Sequence, residues 1–292
     1  MREYSDADVA DSLNATELID EVERCLIDLG TGRASQLPKA VMPIGSGAFF
    51  LSVAGMVPRL GLATAKWGSY LPGEPGRAGV STSTIVVSDL GTGSPRGIVT
   101  GMLATHRRTA ATALVLLRRL LTSTSRSIVF VGFGPTNRAV FDLLIAVGWP
   151  VGRLVVAVRS AESAARLAED AVLGRLLSEG RATIATDVAA AIAGADIVIS
   201  ATGSTAPLGR VGDLAIGGAV ISLDGSRTWL TDGSTRVLTD RPGENGTAPE
   251  VAIALSSPDP IGRADQRSLF DIAGSAVTDV ALAALLIAGS GS

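Results

Sequence analysis

The chain of 292 residues holds one cysteine, Cys25, and one histidine, His106. A lone cysteine excludes an intrachain disulfide, and with a lone histidine it leaves no ligand set for a zinc or iron–sulfur centre, so no metal is expected. Lysine is nearly absent as well: among 25 basic residues only Lys39 and Lys66 are lysines. Arginine serves wherever a plain positive charge suffices, so each lysine either marks a place that wants a compact, deprotonatable amine or is a surface leftover. An excess of positive charge is also lacking. The net charge is −3 and the isoelectric point is near 5.3, which gives no basic footprint for nucleic acid. No apolar run approaches the ~20 residues of a membrane span, and residues 1–11 lack the basic patch and apolar stretch of a secretory signal. The expectation is a cytoplasmic protein that meets neither nucleic acid nor membrane.

What is present is a chain 47% hydrophobic and 18% charged, with 34 glycines, long enough for about two compact domains. Ser5 is placed to cap a short helix, and Leu18, Ile19, Val22, Leu26 and Leu29 recur at helical spacing up to Gly30. Residues 36–101 change texture to short apolar or alternating runs (39–43, 48–57, 60–67, 83–87, 97–100) separated by turn-rich stretches, which predicts a mostly antiparallel sheet. Residues 106–121 read as a helix, and the polar run 122–126 as a domain boundary. Beyond it strand and helix alternate, with strands at 127–131, 154–158, 182–185, 196–200 and 219–223, which predicts a doubly wound parallel sheet. Residues 243–260, rich in Gly, Pro and Ser, read as loop, and 277–288 as an apolar helix. The expected fold is therefore α/β: an α+β N-terminal substrate and dimerisation domain over 1–122 and a Rossmann-type domain over 123–274. The terminal segment 275–292 is a candidate to pack back on the first.

Residues 127–137, Ser-Ile-Val-Phe-Val-Gly132-Phe-Gly134-Pro-Thr-Asn137, form a buried strand, a glycine turn and a helix start, the context a dinucleotide fingerprint requires. Gly132 allows the tight turn, and Gly134 lets backbone amides approach a pyrophosphate at the positive end of the helix, beside Pro135 and Thr136. Asn137 stands where a third glycine is usual. Either the helix sits off the strand or the amide faces the phosphates. The second strand runs into Arg159-Ser160 with no acid to hold a ribose 2′-hydroxyl, so Arg159 favours NADP(H) over NAD(H), unless it is a solvated arginine at a helix start.

The stretch Arg108-Thr109-Ala110-Ala111, opening the last helix of the first domain, resembles the ornithine cyclodeaminase/μ-crystallin family. Other stretches fall in that family's order: Gln36-Leu-Pro-Lys39, Met42-Pro43, Ala65-Lys66-Trp67, Thr84-Ile-Val-Val-Ser-Asp89, Gly132-Phe-Gly134, Gly194-Ala-Asp196, Ser268-Leu-Phe-Asp-Ile-Ala-Gly274, and Asp279. The resemblance implies a homodimer built on the N-terminal sheet, NAD(P) on the second domain, and chemistry at the C–N bond of small α-amino or α-imino acids. Members include cyclodeaminases, ketimine reductases, alanine dehydrogenases and an N-substituted amino acid dehydrogenase of siderophore-precursor synthesis, which residues 66–77 resemble most.

The same resemblance implies site roles. Arg108 falls on the family's carboxylate arginine, Lys66 on its active-site lysine, and Lys39 where most members carry a second arginine; Met42 and Thr84 complete the expected substrate set. Around the cofactor it implies Thr109, Ala201 and Thr202 beside Gly132, Gly134, Pro135, Thr136, Asn137, Arg159 and Ser160. Lys39 departs from the pattern, because an ammonium cannot copy a guanidinium fork. In Asp224-Gly-Ser226, the register puts Ser226 where cyclodeaminases keep a catalytic aspartate; a two-residue shift would restore Asp224 to that role, and otherwise Asp224 is a strand-end Asx turn. The expected function is hydride transfer between NAD(P)H and an imino or amino acid. The alternatives are cyclodeamination with bound NAD+, and a non-catalytic ligand-binding protein.

Overall fold

A computed structural model describes residues 1–45, 47–73, 79–120, 127–150, 152–204, 206–224, 228–243 and 247–289. The expected break at 122–126, part of the 66–77 stretch, and Ser226 lie outside the described residues. The chain order is β1 (Arg2–Tyr4), α1 (Asp6–Ser12), α2 (Ala15–Gly30), β2 (Ser35–Gln36), β3 (Ala40–Gly45), β4 (Ala48–Val57), β5 (Leu62–Leu71), β6 (Val80–Asp89), β7 (Pro95–Thr100) and α3 (Leu103–Leu120). It continues through β8 (Ser127–Val131), α4 (Pro135–Ala146), β9 (Arg153–Ala157), α5 (Ala161–Ala168), α6 (Ala171–Ser178), β10 (Ala182–Ala185), α7 (Val188–Ile192), β11 (Ile197–Ser200) and β12 (Gly209–Arg210). It ends with β13 (Ala219–Ser222), β14 (Trp229–Leu230), β15 (Arg236–Thr239), α8 (Glu250–Ser256), β16 (Ser268–Asp271) and α9 (Ala276–Gly289). Among the described residues no helix is long and apolar enough to cross a membrane.

Two compact units emerge. The first comprises Met1–Val115, Arg241–Pro258 and Gly274–Ser292; the second comprises Leu116–Asp240 and Asp259–Ala273. The division therefore falls inside α3, and the second unit does not run unbroken to residue 274. Composition marked 243–260 as loop, yet Val251, Ala252 and Leu255 give α8 a buried face. This helix lies so close to α2 that a Cβ on Gly30 would run into the Ala252 carbonyl and the Ser256 hydroxyl.

The first unit is built on a sheet of order β1-β7-β6-β5-β4-β2, with β3 also on β4. Pairing is antiparallel from β7 through β2, while β1 joins β7 in parallel. Alternation sorts its side chains. Val53, Lys66, Ile85 and Val99 are consecutive cross-strand partners and all buried, so one face turns to the core. Helix α9 packs on β4, β5 and α2. It is apolar nearly all round, as a helix with no solvent face must be, and burying Val280, Leu282 and Leu286 contributes roughly 1.5–3 kcal/mol each. Gly55 permits the approach, because a Cβ there would sit 2.8 Å from the Ala276 Cβ.

The second unit carries an all-parallel sheet of order β10-β9-β8-β11-β13-β16-β15. Strands β8, β9, β11 and β13 read as nearly continuous apolar runs, as strands covered on both faces must. The order reverses between β8 and β11, and the crevice beyond the carboxyl ends of strands at such a reversal is where this architecture binds ligands.

Candidate active site

In the first unit, β5, α3 and α9 bring three ionisable side chains together. Lys66 Nζ lies 2.9 Å from Asp279 Oδ2 and donates to Oδ1 at 3.2 Å; Arg108 Nε lies 3.1 Å from the same Oδ1. Lys66 is 6% exposed, Arg108 5% and Asp279 1%. Two cations thus share one buried carboxylate, and the Arg108 contact is an ion pair without hydrogen-bond alignment. Burial, then the Arg108 charge and more weakly Lys39, push the Lys66 ammonium down to about 8, against the opposing pull of Asp279. Lys39 is half-buried just ahead of β3. His106, one residue from Arg107, is likewise held below its ordinary range by burial and by Arg108.

Neighbouring backbone sets this group. Gly274 has φ +98°, and a Cβ there would lie 2.9 and 3.0 Å from the two terminal nitrogens of Arg108, so only glycine leaves the fork in place. Gln36 Oε1 accepts from the Ser275 hydroxyl and from the Ala276 N–H, anchoring the first turn of α9 to β2.

Thr84 and Met42 are not brought to this group. Thr84 pairs with Trp67 and Thr100, one register step from Lys66 and hence on the opposite face; Met42 pairs with Phe50 on that same outer face and is 56% exposed. The Thr109 hydroxyl donates to the Thr105 carbonyl one turn back in α3. Sequence reasoning gave Asp279 no role. The available signal was that it is the one charged residue in the otherwise apolar α9.

In the second unit, Gly132 has φ +76° and donates to Ala157 O at 2.9 Å. A Cβ on it would come within 2.8 Å of Ala201 O and of the Thr202 methyl, so the glycine is required where β8 and β11 part. Gly134 precedes Pro135, the first residue of α4; among the described residues no side chain caps this N-terminus, and a Cβ on Gly134 would meet nothing within 4 Å. A helix start with open space before it suits a pyrophosphate.

Asn137 turns its amide inward. It is fully buried, and its Nδ2 lies within hydrogen-bond distance of three carbonyls, Gly132 at 2.7 Å, Val131 at 3.1 Å and Ile199 at 3.3 Å. The side-chain amide ties the turn to the strand ends, which corrects the expectation that it faces the phosphates. Arg159 is exposed just beyond β9, and the Ser160 hydroxyl caps α5 by accepting from Ser163 N–H.

Asp224 is bound at the strand ends. One oxygen accepts from the Ser222 and Ser200 hydroxyls at 3.0 and 3.3 Å, the other from Thr202 N–H at 2.6 Å and Thr202 Oγ1 at 2.9 Å. Ser200 in turn accepts from the Trp229 indole at 2.9 Å. Four donors make Asp224 a clamp across β11 and β13.

A buried lysine–arginine–aspartate group on an α+β unit, with a glycine turn at the order reversal of a parallel α/β unit, defines a two-unit protein of dinucleotide-binding architecture. The ornithine cyclodeaminase/mu-crystallin family model matches residues 4–225, and the chain belongs to that family. It is 27% identical over 298 residues to a Δ1-pyrroline-2-carboxylate/Δ1-piperideine-2-carboxylate reductase of Azospirillum brasilense, covering 95% of this chain and 92% of that one. Among solved structures it resembles the Δ1-pyrroline-2-carboxylate reductase of Thermococcus litoralis in complex with NADH and L-proline, with TM-score 0.81, 21% identity, and 99% and 97% of the two chains covered. It also resembles the iminosuccinate reductase of Paracoccus denitrificans in complex with NAD+, with TM-score 0.79, 18% identity, and 100% and 96% covered.

Proposed function

We propose that this chain is an NAD(P)H-dependent reductase of the C=N bond of a small α-imino acid, with cyclic ketimines of the pyrroline-2-carboxylate type as substrates. The observation that carries the reading is the buried Lys66–Asp279–Arg108 group. A carboxylate clamp and a lysine that titrates near 8 are what reduction of such an imine needs. Arg108 and Lys39 bind the substrate carboxylate, the arginine through its terminal nitrogens. Lys66 holds or delivers the proton that makes the imine nitrogen cationic and its carbon electrophilic. Gly132, Gly134 and the first turn of α4 are the residues that would hold the dinucleotide, which supplies the hydride when bound. The 27%-identical reductase relative supports this substrate class. Asp224, its oxygens occupied by four donors, favours reduction over cyclodeamination. The test is NAD(P)H oxidation on addition of Δ1-pyrroline-2-carboxylate. Ammonia release from ornithine without net cofactor change would overturn the reading, and so would ligand binding without turnover.

Two finer assignments accompany it. Arg159, exposed beyond β9 with no acid beside it on that strand end, favours NADPH by pairing with the 2′-phosphate; the ratio of dissociation constants for NADPH and NADH tests this. The second copy of a homodimer covers the outer face of the first unit's sheet. Met42, Met56, Trp67, Leu71 and Val80 stand exposed there, and the positions of β4, β5 and β6 on that face carry no ionisable side chain. A face of apolar and small neutral side chains can pair with itself under a two-fold axis.

A further inference from the structure

Helix α9 delivers one carboxylate to the site. Its first turn is fixed by Gln36, through the Ser275 hydroxyl and the Ala276 N–H, and the Thr278 hydroxyl donates to Ser275 O at 2.7 Å. One turn in, Asp279 meets Lys66 of β5 and Arg108 of α3 at 2.9 to 3.2 Å. Gly274, just before the helix, leaves room for the terminal nitrogens of Arg108. The groups whose charges act on Lys66 are Arg108 from α3, Lys39 from the segment before β3 and Asp279 from α9, and Asp279 is the carboxylate of this set among the described residues.

We propose that Asp279 is a positioning residue for the reduction: bridging Lys66 and Arg108, it holds the lysine as an ammonium and orients the arginine fork toward the substrate carboxylate. The inference rests on the reductase reading for its catalytic consequence, though the bridge itself is independent of it. Burial and two neighbouring cations all disfavour the charged amine, and Asp279 opposes them. Without it, the amine would lose its proton under the conditions in which it must hold one.

The sequence supplies a direct readout, because the chain contains only two lysines. Protein grown with ε-13C-lysine shows two side-chain signals, and Lys39→Arg assigns them. In Asp279→Asn the Lys66 titration midpoint is expected to fall by about 1–3 pH units, with the pH limb of kcat/KM following it. Asp279→Glu keeps the carboxylate at a displaced position; its Lys66 midpoint should stay within about one unit of the native value while KM rises at least about tenfold through the arginine. An unmoved midpoint in a cooperatively melting Asp279→Asn protein overturns the proposal. Should that variant not fold, a Lys66 midpoint in Asp279→Glu displaced downward by more than a unit, or an unchanged KM, overturns it instead. The NMR titration uses no substrate, so failure of imine reduction would remove the function while leaving the bridge standing, and an unmoved midpoint in an active reductase would remove the bridge alone.

Discussion

The side-chain nitrogen of Asn137 lies 2.7 Å from the carbonyl oxygen of Gly132, five residues earlier, and 3.3 Å from that of Ile199 on β11. One amide thus joins the glycine turn to both strands at the order reversal. Among the described residues its buried Oδ1 has no hydrogen-bond partner, a cost that the bonds to Nδ2 offset.

Asn137→Ala should cost about 1–3 kcal/mol of stability, the range for buried carbonyls that lose their donor, and should weaken cofactor binding by loosening the turn. Asn137→Gly, which would restore a third glycine, should do no better. Thermal melting and cofactor titration check this; unchanged values in either variant would show that the amide is not holding the turn.

Lys66 couples activity to pH. A lysine with its midpoint at about 8 carries the proton below that pH and loses it above, so kcat/KM for imine reduction should fall as pH rises through about 8, and Lys66→Met should lack this limb along with most activity. The stability sign is the reverse. Between about 8 and the ordinary 10.5 the unfolded chain binds the proton and the folded one does not, so this group makes stability rise with pH across that window, by on the order of 3 kcal/mol. Denaturant melts of the native protein and Lys66→Met at pH 8 and pH 10 should show the rise flattened in the variant.

Arg108→Ala should act on the substrate side. Truncating a desolvated charged clamp costs on the order of 2–5 kcal/mol, about 30- to several-thousand-fold, and cofactor affinity should remain within a few-fold. Loss of cofactor binding with substrate affinity intact would move Arg108 out of the proposed role. Gly274→Ala should produce a milder form of the same defect, since its Cβ would press on the guanidinium from a backbone at φ +98°. A KM raised with little change in kcat is the expected signature.

Trp67, 49% exposed and stacked on Phe50 with ring centroids 5.4 Å apart, sits on the proposed dimer face. Trp67→Glu should yield monomers in light scattering at concentrations where the native chain is dimeric. A native chain that is monomeric throughout would remove the assignment of a second copy to this face.

Arg159→Asp should reverse cofactor choice from NADPH to NADH, because an acid at the end of the second strand accepts from a bare ribose and repels a phosphate. Steady-state titration with both reduced cofactors reads it; equal preference before and after the change would leave Arg159 a solvated residue.

Local chemistry was legible in the chain itself. Ser5 caps α1 with a capping box completed by Asp8, α2 ends at Gly30, and the strand–glycine–helix run of 127–137 becomes β8, the Gly132 turn and α4, because these features depend on neighbours in sequence. Alternating apolar strands and helices similarly determined a parallel sheet. Tertiary structure decided what depends on register and distant packing. Thr84 and Ile85 are adjacent in sequence, yet one faces outward and the other lies beside Lys66, and a single step of strand register exchanges them. The amide of Asn137 turned inward because buried carbonyls of two strands were there to receive it. The pairing of Lys66 with Asp279 spans 213 residues; no local pattern encodes it, and it exists because an apolar helix had to bury itself against β4 and β5 and carried one carboxylate in with it.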